Sequence, residues 1–266
     1  MPRLHILRAL LHRDYSIARS YRIAFASDVV FGAMNLLIYF FISRALGDPG
    51  SAHLQGAPTY FAFAAVGVTI TVVMQATGMG LAKRVREEEL TGTLETLATR
   101  PISVTEMALG LAGFPFIFAM VRAALYLLLA GAFLKLDFSA ASWPGLVSVL
   151  LVGGLGMTAL GILLGALVVV SKRGEAIAGV VTLAMGLLGG AFFPVEVLPG
   201  WVRWLGSLIP VRFAFEGARA ALFRGEGWGE DLAALALVTA IGIPLAVWTF
   251  KQALLSARRS GSLSQY

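Results

Sequence analysis

The 266-residue chain contains no cysteine, which excludes disulfides and any thiolate-ligated metal centre. Charge is scarce. Asp, Glu, Lys and Arg make up 14% of the chain, against about a quarter in soluble domains. No G-x-x-x-x-G-K-[ST] loop surrounds any of the four lysines, 83, 135, 172 and 251. The chain therefore lacks the backbone cradle that holds nucleotide phosphates in P-loop proteins. The three histidines (His5, His12, His53) all lie outside the long apolar runs. That argues against an intramembrane protease or metalloenzyme, and no metal site is expected. The runs also lack the chain of acids expected of a proton-coupled carrier, and the period-2 alternation of barrel strands. No cleavable leader is expected, because some 22 mixed residues precede the first long apolar run.

Hydrophobic residues make up 58% of the chain, gathered into blocks. In hydrocarbon every backbone polar group must be satisfied within the segment, so continuous apolar blocks must be helices. A crossing takes roughly 20 residues. Six segments qualify: 23–42, 60–81, 107–134, 144–170, 176–193 and 232–250. The expectation is an all-α membrane protein with six transmembrane helices in one domain over 1–266. The +6 net charge does not indicate nucleic acid, because the basic residues sit between the spans. Placing the N-terminus inside puts fourteen lysines and arginines on that side. Six fall outside, and Arg122 lies within span three. By the positive-inside rule both termini are cytoplasmic and the plasma membrane is the expected location. Trp143, Trp201, Trp204 and Trp228 then fall at the outer interface and Trp248 near the inner one, as an aromatic belt requires.

Leu4, Leu7, Leu10, Leu11 and Ile17 alternate with arginines in residues 1–22. This predicts an amphipathic helix on the inner leaflet, the alternative being a solvated basic arm. Gly161 and Gly165 form a GxxxG pair in span four, and Gly186, Gly189 and Gly190 recur in span five. They serve either intrachain packing or a dimer contact. Asp28 and Arg122 are intramembrane charges, and such residues are functional candidates. Counted from the inner ends of their spans, their depths differ too much for a mutual pair. Asp28 is expected to meet the interface or an arginine of the N-terminal arm. Arg122 is expected to snorkel outward or meet Glu196 or Glu216.

Two connecting segments are more patterned than a loop needs to be. Residues 83–103, KRVREEELTGTLETLATRPIS, carry Glu87, Glu88, Glu89 and Glu95 on the positive side of the membrane. Thr91 or Thr93 can cap a new helix, with Glu95 in its first turn. Gly92 permits a sharp turn before it, and Pro101 stops it. On spacing alone an ordinary capped loop helix is the better reading, and a docking surface for a soluble partner is the other. Residues 191–231 contain Pro194, Pro199 and Pro210, spaced for two short helices over 200–208 and 211–223 in a hairpin dipping into the outer leaflet. Arg212, Glu216 and Arg219 share a face at i, i+4, i+7. They form either an ion-pair row or a contact for an anionic group.

Residues 86–103 and 192–225, with the basic amphipathic N-terminus and the six spans, resemble the permease subunits of type-2 ATP-binding-cassette (ABC-2) exporters over essentially the whole chain. Arg100 departs from the small or polar residue the family often has before the proline. The resemblance implies a permease of an ATP-driven exporter without enzyme activity of its own. Its partners would be a second permease copy or related chain and two cytoplasmic ATPase subunits, which would hold the ATP and magnesium; this chain would bind no cofactor. Glu88, Glu89, Gly92, Thr93, Glu95 and Pro101 would form the coupling helix, residues 1–22 the connecting helix, and residues 194–231 an extracellular re-entrant hairpin. The cargo path would run between spans two and five, past Thr71, Gln75, Leu188, Phe192 and Phe193. Such a path suits amphipathic, lipid-like, drug or polysaccharide cargo. The competing reading is a membrane assembly or scaffold protein without transport.

Overall fold

A computed structural model of the chain describes residues 4–20, 22–47, 54–93, 103–171, 174–207 and 209–259. The side chains of Leu4, Ile6, Arg22, Ala24, Phe25, Glu175 and Arg258 are outside the description. Among the described residues every regular element is helical. In chain order they are α1 (Leu4–Ser20), α2 (Arg22–Leu46), α3 (Tyr60–Leu90), α4 (Val104–Leu134), α5 (Trp143–Ser171), α6 (Gly174–Leu188), α7 (Gly200–Ser207), α8 (Val211–Arg219) and α9 (Trp228–Arg259). Two π turns interrupt the pattern. Gln75–Met79 lies within α3, and Ala220–Arg224 continues α8.

Five of these helices, α2, α3, α4, α5 and α9, are long and apolar enough to cross a membrane. The chain is thus a multi-pass membrane protein. The expected span at 176–193 is shorter than read. Its helix stops at Leu188 after 15 residues, about 22 Å at 1.5 Å per residue, short of the ~30 Å hydrocarbon core. Gly189 and Gly190 end it, the latter at φ +87°, where a side chain would be strained.

The segment read as a loop after span two is also different. Nothing between Leu81 and Leu90 breaks a helix, and α3 runs on to Leu90 before Gly92 turns it at φ +70°. Thr91 caps the end of α3, its hydroxyl donating to Glu87 O at 2.8 Å, and helical backbone resumes at Thr93, beyond which residues 94–102 lie outside the described residues. Two other helix starts are capped by side chains. Thr59 accepts from Ala62 N at 3.1 Å, and Ser103 and Glu106 form a reciprocal capping box that satisfies otherwise orphan N–H groups.

α3 and α5 form the centre. Thirteen of the fifteen residues Tyr60–Met74 are buried, as an all-round apolar helix requires. α5 packs along α9, the most extensive helix pair, and also against α3, α6, α8 and α4. Glycines set the closest approaches. A Cβ at Gly161 would lie 2.2 Å from Thr77 O, and one at Gly165 3.1 Å from Val85. The GxxxG pair of α5 is therefore an intrachain contact with α3. α2 is the opposite case, exposing Val30, Phe31, Met34, Leu37, Ile38 and Phe41. α1 is a helix, as expected, and lays Leu10 and Leu11 against Gly110 and Gly113 of α4.

A Cβ at Gly67 of α3 would meet Ala191 O at 1.7 Å, whereas Gly200 has nothing within 4 Å. Gly67→Leu should destabilise the chain by about 1–3 kcal/mol through overpacking. Gly200→Ala should leave thermal unfolding in detergent unchanged.

Candidate functional site

α3 is anchored by charge at both ends. At the Tyr60 end the anchor is Arg219, which is fully buried. Its Nη2 donates to Gly190 O at 2.8 Å and Ala191 O at 3.1 Å, just past the end of α6. Nε and Nη2 reach Phe63 O of α3 at 3.4 and 3.3 Å, and Nη1 donates to Gln55 Oε1 at 2.9 Å. The guanidinium also lies 3.5 Å over the Phe63 ring, a cation–π contact. Five donors in a planar fork suit this task. Burial drags the Arg219 guanidinium down to about 9, with Glu216 and Glu196 acting the other way. It stays charged at neutral pH.

The expected row of Arg212, Glu216 and Arg219 is therefore split. Arg212 Nε and Glu216 Oε1 form the ion pair at 2.6 Å. Arg219, three residues on, turns into the protein. Gln55 links the two parts, donating from Nε2 to Glu216 Oε1 at 3.4 Å while accepting from Arg219. Gln55 itself is at φ +54°, a conformation its side chain tolerates poorly. Alongside, Tyr60 Oη donates to Phe192 O at 2.9 Å, and the Phe192 ring stacks on Tyr39 at 5.4 Å.

At the Leu90 end, Asp14 of α1 is buried and accepts from Arg84 of α3 and from Arg13 at 3.0 Å. Arg13 also pairs with Glu88 Oε1 at 2.7 Å, and Glu89 pairs with Arg86 at 2.7 Å. Burial pushes the Asp14 carboxyl up from the usual carboxylate range, while Arg84 and Arg13 pull it down. Thr93 closes the turn by donating to Glu88 O at 3.2 Å and to the Glu88 carboxylate. The resemblance implies that Glu88 and Glu89 belong to the coupling element. Both are buried and engaged within the chain. The exposed residues here are Lys83, Glu87, Leu90, Thr91, Gly92 and Thr93. Glu95 and Pro101 lie outside the described residues.

Between the anchors, the π turn begins at Gln75, which is exposed. Thr71 Oγ1 and Thr182 Oγ1 are buried without a protein partner. They lie where α3 meets α6, opposite Gly186 and Gly78. Leu188 and Phe193 are half-buried. Thr71 sits eleven residues along α3 from Tyr60, about 16 Å, so the candidate path residues form two levels rather than one cluster.

Asp28 and Arg122 do pair, at 3.4 Å, which corrects the depth argument. Arg122 also donates to Tyr126 Oη at 3.4 Å, and that hydroxyl donates to Asp28 O at 3.0 Å. The 31 residues of α4 span about 46 Å. Its first turns lie beside α1, as the Leu10–Gly110 contact shows, so α4 starts well before the level at which α2 does. Arg13, Asp14, Arg84, Gln55 and Tyr126 escaped the sequence reading. Asp14, the single acid of α1, was the one signal available.

A family model described as ABC-2 type transporter matches residues 6–223, from α1 into the π turn that follows Arg219. No curated protein matches the chain.

Arg219→Met should leave the Gly190 and Ala191 carbonyls without this donor, at about 1–3 kcal/mol for each orphaned group. Arg219→Lys should not restore stability, because an ammonium cannot span the same acceptors. Thermal unfolding in detergent measures both. For Asp28→Asn and Arg122→Gln, a double-mutant cycle should give a coupling of about 0.5–3 kcal/mol.

Proposed function

Because the chain belongs to the ABC-2 type transporter family, we propose that it is the permease subunit of an ATP-driven exporter, moving cargo outward through the membrane. The observation that carries this reading is the family match itself, which spans both anchors of α3. Two permease copies would pair with two cytoplasmic ATPase subunits. ATP and magnesium belong to those partners, since this chain has no P-loop. The Leu90 end and both termini face the cytoplasm, α1 lies at the inner interface, and the α7–α8 hairpin dips in from outside. α6 and the bend after it make the sixth crossing.

On this reading the ATPase seats against the turn after α3, where Leu90 is exposed together with Thr91–Thr93, and against Glu95 and Pro101 beyond it. Glu88 and Glu89 act as positioning residues there, fixing the turn to α1 and to α3 itself. Closure of the ATPases on nucleotide pushes the inner end of α3 and biases the permease between inward- and outward-facing states. The π turn at Gln75–Met79 is the joint along that rod; such turns recur at functional sites. Cargo passes along the α3–α6 seam, by Thr71 and Gln75 and then Leu188, Phe192 and Phe193. These side chains are uncharged, which favours amphipathic, lipid-like, drug or polysaccharide cargo over a hydrated ion.

Tagged permease should co-purify an ATPase. Leu90→Glu or Glu95→Arg should weaken that association about tenfold. Arg13→Glu should also weaken it, and Glu88→Arg in the same chain should restore it. Failure of wild-type permease to retain any ATPase would count against the exporter reading. Retention unaffected by Leu90→Glu and Glu95→Arg would count against the docking surface.

A further inference from the structure

α4 and α5 diverge at the Arg219 end of the bundle and leave a cavity of about 590 Å³ between them. Its walls are apolar throughout. Met120, Ala124, Leu127 and Leu128 come from α4, and Leu150 and Leu151 are among those from α5. Trp143 and Phe138 stand at the mouth, with ring centroids 5.5 Å apart. Phe138 can fold back there because Gly131 has no Cβ, which would lie 2.3 Å from the ring. Leu128, Trp143, Val147 and Leu151 are exposed, so the cavity opens sideways, toward lipid. From Trp143 to Leu151 it descends eight residues of α5, about 12 Å, which places it within one leaflet.

The rim carries a second feature. α4 ends on Lys135, at φ 55°, ψ 39°, a left-handed position usually filled by glycine. An unfavourable conformation retained by a non-glycine residue invites a functional explanation. Lys135 is exposed and lies between the lining residues Ala132 and Leu136. Among the described residues no carboxylate pairs with it. The neighbouring Asp137 is engaged by Ser139, whose N–H and hydroxyl donate at 2.8 and 3.0 Å. An exposed lysine on the segment that lines an apolar slot, with two aromatic rings at the mouth, is complementary to an anionic phosphate joined to a hydrocarbon tail.

We propose that the α4–α5 cavity is a binding site for one phospholipid of the adjoining leaflet, its acyl chain in the slot and its phosphate on Lys135. The bound lipid acts as a packing element between two spans that otherwise part. The site lies on α4 and α5, away from the α3–α6 seam, and does not depend on transport.

The test uses the full chain, purified in detergent and delipidated, with dioleoylphosphatidylglycerol added and binding read by native mass spectrometry. The wild type should bind one lipid in preference to dioleoylglycerol, which has the tails and no phosphate. Ala124→Trp fills the slot and should abolish that binding. Val180→Trp, at an exposed position of α6, should not. Lys135→Glu should weaken binding about fivefold or more, and Lys135→Arg should retain it. Added lipid should raise the melting temperature of the wild type and not of Ala124→Trp. Unchanged binding in Ala124→Trp overturns the site. Equal binding of the two lipids, or no effect of Lys135→Glu, overturns the phosphate contact. Conversion of a dimer to a monomer by Ala124→Trp, with lipid binding intact, would make the cavity a subunit contact and overturn the proposal.

Discussion

The fold depends on one guanidinium. α6 stops short of a full crossing, and its last carbonyls are taken by the backbone N–H groups of residues 189–191. The carbonyls of the bend itself, at Gly190 and Ala191, need another donor once buried, and Arg219 supplies it while reaching the backbone of α3 at Phe63 and the loop at Gln55. A positive charge beside a helix C-terminus is also favourable on dipole grounds. Two chain segments far apart in sequence, 55–63 and 190–191, thus meet on a single side chain. Gly67 is bare because Ala191 must come close enough for that to happen.

The anchor at the Leu90 end is built differently. Asp14 and Glu88 share Arg13, and Arg84 adds a second cation. These groups join α1 to the last turns of α3, so a displacement at Leu90 is felt by both helices. Between the anchors α3 is sheathed in protein, with the π turn as its irregular stretch. α2, by contrast, is mostly exposed and is held by the Asp28–Arg122 pair, the Tyr126 hydroxyl and its contacts with α3.

Much of this was legible. Apolar runs located the long helices, and Pro199 and Pro210 located α7 and α8, because these signals are local. The errors share one cause, which is that partners distant in sequence decide the outcome. Nothing in KRVREEEL stops a helix, but the apolar run ends at Leu81, and an end to the apolar run is not an end to the helix. Helical spacing put Arg219 on the face of Glu216, but its acceptors are backbone carbonyls, which carry no residue signature. Asp28 and Arg122 were assigned different depths on the assumption that all spans start level, and α4 starts lower, beside α1. Gln55 in a left-handed conformation leaves no trace in the sequence.

The order of the Arg219 contacts along the chain has a consequence for biogenesis. Gln55, Phe63, Gly190 and Ala191 all precede Arg219, so each acceptor has been synthesised before the arginine leaves the ribosome. A chain ending before residue 219 would hold all of these acceptors and not the donor they share, leaving the Gly190 and Ala191 carbonyls without the guanidinium.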